Sequence, residues 1–109
     1  GLAPGLSQVS NLQERGVAYS YYIENAFAHS SLIGTYWFLW RDQPNTGRND
    51  GENYNIGIVD VTDQPYPDMV NALKTSHKRL LNIHSGKLEP VNKKPEGRIR
   101  KKTFEQDAF

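Results

Sequence analysis

The sequence predicts an α/β fold, on three observations. Residues 32–40, LIGTYWFLW, form a β-branched and aromatic run with apolar side chains on both alternating faces: Tyr36, Phe38 and Trp40 on one, Trp37 and Leu39 on the other. A strand without a polar face is one covered on both sides, as in a parallel sheet with helices packed on it. The stretch before it has helical periodicity and the length of a crossover connection. At Arg41 the apolar run changes abruptly to RDQPNTGRNDGEN, and apolar character returns at Ile56, Ile58 and Val59. A buried strand opening into a polar loop is a common way for such folds to present a site.

Taken in order, residues 1–8 carry two glycines and a proline and read as loop. Ser10 or Asn11 can cap a helix, with Glu14 in its first turn. Leu12, Gly16, Tyr19, Ile23 and Ala26 share one helical face, so the spacing predicts a helix over about 11–28. Residues 32–40 follow as the strand and 41–53 as the loop, with turn signals at Gln43-Pro44-Asn45 and Asn49-Asp50-Gly51. Pro67 suits a first helical position and Asp68 lies beside the positive helix end. Val70, Leu73, His77 and Leu80 then define a face of a second helix over 67–84, stopped at Gly86.

The formal net charge is +1, unevenly spread. Residues 1–86 hold six basic and eight acidic side chains, and residues 87–102 hold seven basic and two acidic. From residue 87 the chain is basic, proline-containing and aperiodic, so 87–109 is expected to be a mobile tail separate from a packed unit at 1–86. The tail lacks interleaved aromatics, and no nucleic-acid partner is expected. With no cysteine, disulfides and thiolate metal sites are excluded. No apolar run reaches the ~18 residues of a membrane span.

The candidate site is the strand end and its loop. An indole stacks on the apolar face of a pyranose, and amides and carboxylates bond its hydroxyls; Trp37 and Trp40 lie next to such groups. Asp42, Gln43, Arg48, Asp50, Glu52 and Asn53 are suited to a polyhydroxylated ligand, although the same composition also makes a solvated turn-rich loop. A calcium loop with Gly51 at its sixth place would put Arg48 at a ligand position, which excludes that pattern. His77 and His84 lack a third ligand and are expected to be surface or packing residues. No cofactor and no metal are expected.

The run GTYWFLWRDQPNTGRNDGENYNIGIVDVTDQPYPDMV resembles the β-agarases of glycoside hydrolase family 50, in which DQP, TGR, DGENYNIG and PYP occur in the same order and spacing. The preceding NLQERGVAYSYYIENA resembles that family's helix before the strand. The resemblance covers roughly residues 5–85, with Leu39 where the family often has Gln and Asn49 where an aromatic is common. It implies the last helix, strand, loop and helix of a (β/α)8 barrel, incomplete on its own. It implies a secreted or periplasmic retaining hydrolase of β-1,4-galactosidic linkages, acting on agarose or agaro-oligosaccharides. Its catalytic carboxylates would precede Gly1, leaving Trp37, Trp40, Asp42, Gln43, Arg48, Asp50, Glu52 and Asn53 as substrate-binding residues. A barrel acting on another galactan, a small non-catalytic carbohydrate-binding module and a basic interaction protein working through its tail are the alternatives.

Overall fold

A computed structural model describes residues 7–96 and 99–100. Two helices, α1 (Leu12–Phe27) and α2 (Pro67–His84), pack on one another, and two short strands, β1 (Ser7–Gln8) and β2 (Ile99–Arg100), pair antiparallel. Ser7 is opposite Arg100 and Gln8 opposite Ile99.

The helix ends follow local chemistry. The Asn11 side chain accepts from the backbone N–H of Glu14 at 2.8 Å, satisfying a donor that the first turn leaves free. Pro67 opens α2, where a missing N–H costs nothing. Gly86 follows its C-terminus at φ 81°, a left-handed conformation that glycine adopts without strain.

The two helices meet in a small core of Tyr19, Ile23 and Met69, flanked by Phe27, Trp37, Tyr66, Leu73 and Leu80. Gly16 allows the close approach, since a Cβ there would lie 3.1 Å from both the Ala72 Cβ and the Asp68 carbonyl. On α1 the buried face includes the expected Gly16, Tyr19 and Ile23. On α2 the seam is rotated from the expected one: Met69, Ser76 and Ile83 are buried, while His77 lies on the exposed side. The polar Ser76 hides this seam in the sequence. It is accommodated because its hydroxyl donates to Glu24 Oε2 at 2.8 Å. His77 and His84 both meet α1: His77 Nε2 lies 2.6 Å from the Tyr19 hydroxyl and His84 Nδ1 lies 3.0 Å from the Phe27 carbonyl.

Glu24, 1% exposed, joins three segments. It accepts from Ser76 and, at 2.9 Å, from Arg79 Nε on α2. It also accepts from the Val91 backbone N–H at 3.3 Å. Residues 87–96, the first part of the expected mobile tail, are in fact bound to the helices. Asn25 donates to the Val91 carbonyl, Arg79 donates to the Glu89 carbonyl, and the Glu96 N–H donates to Glu14. The expectation missed this because the bonds use backbone groups of the segment, which need no apolar periodicity. Residues 101–109 lie outside the described residues.

The second correction concerns residues 32–40. They do not form a strand among the described residues. A strand exists only through ladder bonds to a neighbour, and the nearest pairing is a parallel bridge between Arg41 and Val59. The alternation that suggested a strand is nevertheless present in the burial. Thr35, Trp37 and Leu39 are half-buried, whereas Tyr36 is 100%, Phe38 58% and Trp40 68% exposed.

Candidate functional site

The site is built where residues 40–43 lie against residues 54–59. The Trp40 carbonyl accepts from the Ile58 and Val59 N–H groups at 2.8 and 3.0 Å. The Asp42 N–H donates to the Val59 carbonyl at 3.0 Å, and the Gln43 N–H to the Tyr54 carbonyl at 3.1 Å. Gly57 is required by this approach: a Cβ would lie 2.5 Å from the Arg41 carbonyl carbon and the Val59 oxygen, and closer still to the Asp42 nitrogen.

Asp42, only 4% exposed, is the hub of this junction. Its Oδ1 accepts from the backbone N–H groups of Ile56 at 2.8 Å and Gly57 at 2.6 Å. Its Oδ2 accepts from Asn55 Nδ2 at 3.2 Å and from the Tyr66 hydroxyl. These bonds stabilise the carboxylate and leave it turned into the protein. Arg15 approaches from α1, donating to the Gly57 carbonyl at 2.8 Å, the Asn55 carbonyl at 2.9 Å and the Asn55 side chain. Its guanidinium also lies over the Tyr66 ring, 5.1 Å from the centroid. Burial lowers the Arg15 pKa from its ordinary value, an effect opposed by the nearby Asp42. Burial raises the Tyr66 phenol, and its hydrogen bond to Asp42 raises it further.

Gln43, also 4% exposed, faces inward as well. Its Oε1 accepts from the Tyr54 N–H at 2.7 Å and its Nε2 donates to Glu52 Oε2 at 2.8 Å. The loop beyond is stapled by charge. Arg48 pairs with Asp50 and, at 3.3 Å, with Glu52, while Asn53 donates to the Asn45 carbonyl at 3.0 Å. The Arg48 hydrogen bond holds the Asp50 carboxyl below the usual range.

The two tryptophans have different surroundings. Trp37 meets Tyr19 edge-on, centroids 5.6 Å apart, and its indole N–H donates to the Ile56 carbonyl at 2.8 Å. It lines an open apolar cavity of about 930 Å³ between α1 and the 52–56 stretch, together with Leu12, Tyr22, Phe38 and Tyr54. Trp40 stands out into solvent. Among the expected site residues, the structure thus brings Trp40, Arg48 and Asp50 to the surface and places Glu52 and Asn53 half-buried in the loop. Asp42, Gln43 and Trp37 lie inside the junction beneath it. The sequence reading missed Arg15, Asn55, Gly57 and Tyr66. Three of these lie in the NIG and PYP words of the motif run, and that was their only signal. Among the described residues no group of three or more His, Asp or Glu side chains is placed to hold a metal ion.

The chain is similar to β-agarases over much of its length. The chain is 39% identical over 71 residues to β-agarase B of Vibrio sp. (strain JT0107), a match spanning 64% of this chain and 7% of that protein. It is 40% identical over 73 residues to β-agarase A of the same strain, covering 66% of this chain and 7% of the relative. The solved structure of an exo-β-agarase superposes with a TM-score of 0.73 at 39% identity, over 76% of this chain and 11% of that one. The structure of PfGH50B gives 0.66 at 38% identity, over 69% and 11%. No family model matches the chain. The chain is therefore homologous to a segment of the β-agarases, as the motif run implied, and it spans 7% of the length of the curated relatives it matches.

Proposed function

We propose that this chain is the closing helix, strand, loop and helix of a (β/α)8 barrel in a retaining β-agarase, secreted or periplasmic, that cleaves β-1,4-galactosidic linkages of agarose or agaro-oligosaccharides. The alternation at residues 35–40 carries the reading. Odd positions 35, 37 and 39 are half-buried, with Trp37 against Tyr19 of α1, and even positions leave Tyr36, Phe38 and Trp40 exposed. In a barrel the second set fills the interior, and the last of them reaches the carboxyl-terminal face where substrate binds. The parallel bridge from Arg41 to Val59 lies just beyond that end. Trp40 is the sugar platform, and Arg48, Asp50, Glu52 and Asn53 form the rim beside it. Asp42 and Gln43 support the rim from beneath, and Trp37 packs the strand on α1.

Retention needs two carboxylates about 5–5.5 Å apart. Asp42 is committed to backbone N–H groups, and Asp50 and Glu52 to Arg48. The reading therefore assigns the catalytic pair to other strands of the barrel. What this segment contributes is binding and orientation. The test is Trp40→Ala in the full-length protein, assayed on agaro-oligosaccharides. Loss of stacking lowers kcat/KM at least about tenfold, equivalent to ~1.4 kcal/mol. Unchanged kcat/KM would rule out the platform.

A further inference from the structure

We infer that Asp42 is a positioning residue for Trp40: it acts on the sugar through the indole and not by touching it. The inference rests on the reading of Trp40 as the platform. Trp40 is two residues before Asp42, and among the described residues its side chain is largely exposed. Its backbone is what is held. The Trp40 carbonyl takes two N–H groups, from Ile58 and Val59, at 2.8 and 3.0 Å. Those donors belong to the stretch that Asp42 grips at Ile56 and Gly57 with Oδ1. The same stretch is tied to α1 by Arg15 and Trp37, and to the start of α2 by Tyr66 through Asp42 Oδ2. Asp42 therefore joins the platform's mount to the stretch that α1 also holds and to the start of α2. A platform held by such a mount is set before the sugar arrives and loses little freedom on binding.

Asp42→Asn disturbs this mount with little change of shape. An asparagine oxygen can still accept from Ile56 and Gly57, but its NH₂ would then face Asn55 Nδ2, a donor against a donor. Tyr66→Phe is gentler, removing one hydroxyl that donates to Asp42. The experiment is a double-variant cycle in the full-length protein, reading kcat/KM on an agaro-oligosaccharide and the thermal midpoint for wild type, Trp40→Ala, Asp42→Asn and the pair. Asp42→Asn is expected to lower kcat/KM about tenfold, since small misplacements of a binding group cost such factors. In the Trp40→Ala background the same change should cost less than about twofold, while its effect on the midpoint is the same in both backgrounds. Tyr66→Phe, at about threefold, should show the same dependence on Trp40 and carries the test if Asp42→Asn does not fold. An equal loss in both backgrounds, or no loss in either, would overturn the positioning role and leave the platform standing. Full activity of Trp40→Ala would instead sink the platform reading itself, and the positioning role with it.

Discussion

Gly57→Ala is the substitution whose cost the structure defines best. The added methyl would sit 2.5 Å from the Arg41 carbonyl carbon and from the Val59 oxygen, and it would collide with the Asp42 nitrogen. All three are backbone atoms, so no side chain can swing aside and the two stretches must separate. Overpacking of this kind costs about 1–3 kcal/mol. Separation also lengthens the Gly57 N–H bond to the Asp42 carboxylate, 2.6 Å, and the Arg15 bond to the Gly57 carbonyl, 2.8 Å. Bonds to charged groups are worth about 1.5–3 kcal/mol each. Relaxation recovers part of the sum, so a loss of at least about 3 kcal/mol is expected. At about 2–4 °C per kcal/mol for a large domain, that is a fall of roughly 6–12 °C in thermal midpoint. Gly16→Ala is the internal comparison. Its Cβ meets the Ala72 methyl and the Asp68 carbonyl at 3.1 Å, a squeeze that small movements relieve. A mid-helix alanine also gains about 0.8–1 kcal/mol over glycine. The net change should stay within about 1 kcal/mol. Differential scanning of both variants in the full-length protein decides the matter. A Gly57→Ala midpoint close to wild type, or one no lower than that of Gly16→Ala, would refute the close junction on which the site is built.

Three further outcomes follow from the same geometry. Glu24→Ala removes one acceptor each from Ser76, the Val91 N–H and Arg79 Nε, and should cost about 3 kcal/mol; Glu24→Gln, which keeps an acceptor oxygen, should cost less than half of that by denaturant unfolding. Truncation after Leu88 removes the Glu89 and Val91 partners of Arg79, Asn25 and Glu24, so the thermal midpoint should fall; an unchanged midpoint would mean that residues 89–96 do not hold the helices. Burial raises the Tyr19 and Tyr66 phenols above the ordinary 10.0. A raised folded-state pKa gives stability that is complete below the unfolded value and lost as pH climbs through the folded one. Stability should therefore hold to about pH 10 and decline above it, and Tyr66→Phe should shrink that decline in an alkaline melting series.

Local chemistry made the helices legible. Asn11, Pro67 and Gly86 each mark an end through one hydrogen bond, one absent donor or one backbone angle, and all three act where the sequence placed them. The α2 seam was harder to read, because Ser76 looks like a surface residue until Glu24 is brought against it by the fold. The carboxylates of the loop were harder still. Asp42 and Gln43 look like ligand groups in a polar run, but each accepts from backbone N–H groups, of residues 54, 56 and 57, and a backbone N–H leaves no trace in composition. Arg15 belongs to the same blind spot, since two of its acceptors are carbonyls forty residues away or more. Residues 32–40 show the converse. Their side-chain alternation is intact, but pairing depends on neighbouring strands, and none is present among the described residues to complete the ladder.

The most direct test of the central claim is a crystal structure of the full-length protein with a bound agaro-oligosaccharide. The account predicts ladder bonds on both edges of residues 32–40, Tyr36 and Phe38 turned into a barrel, and the Trp40 indole in van der Waals contact with a pyranose ring. Residues 32–40 unpaired on the surface, with the sugar bound away from Trp40, would contradict it.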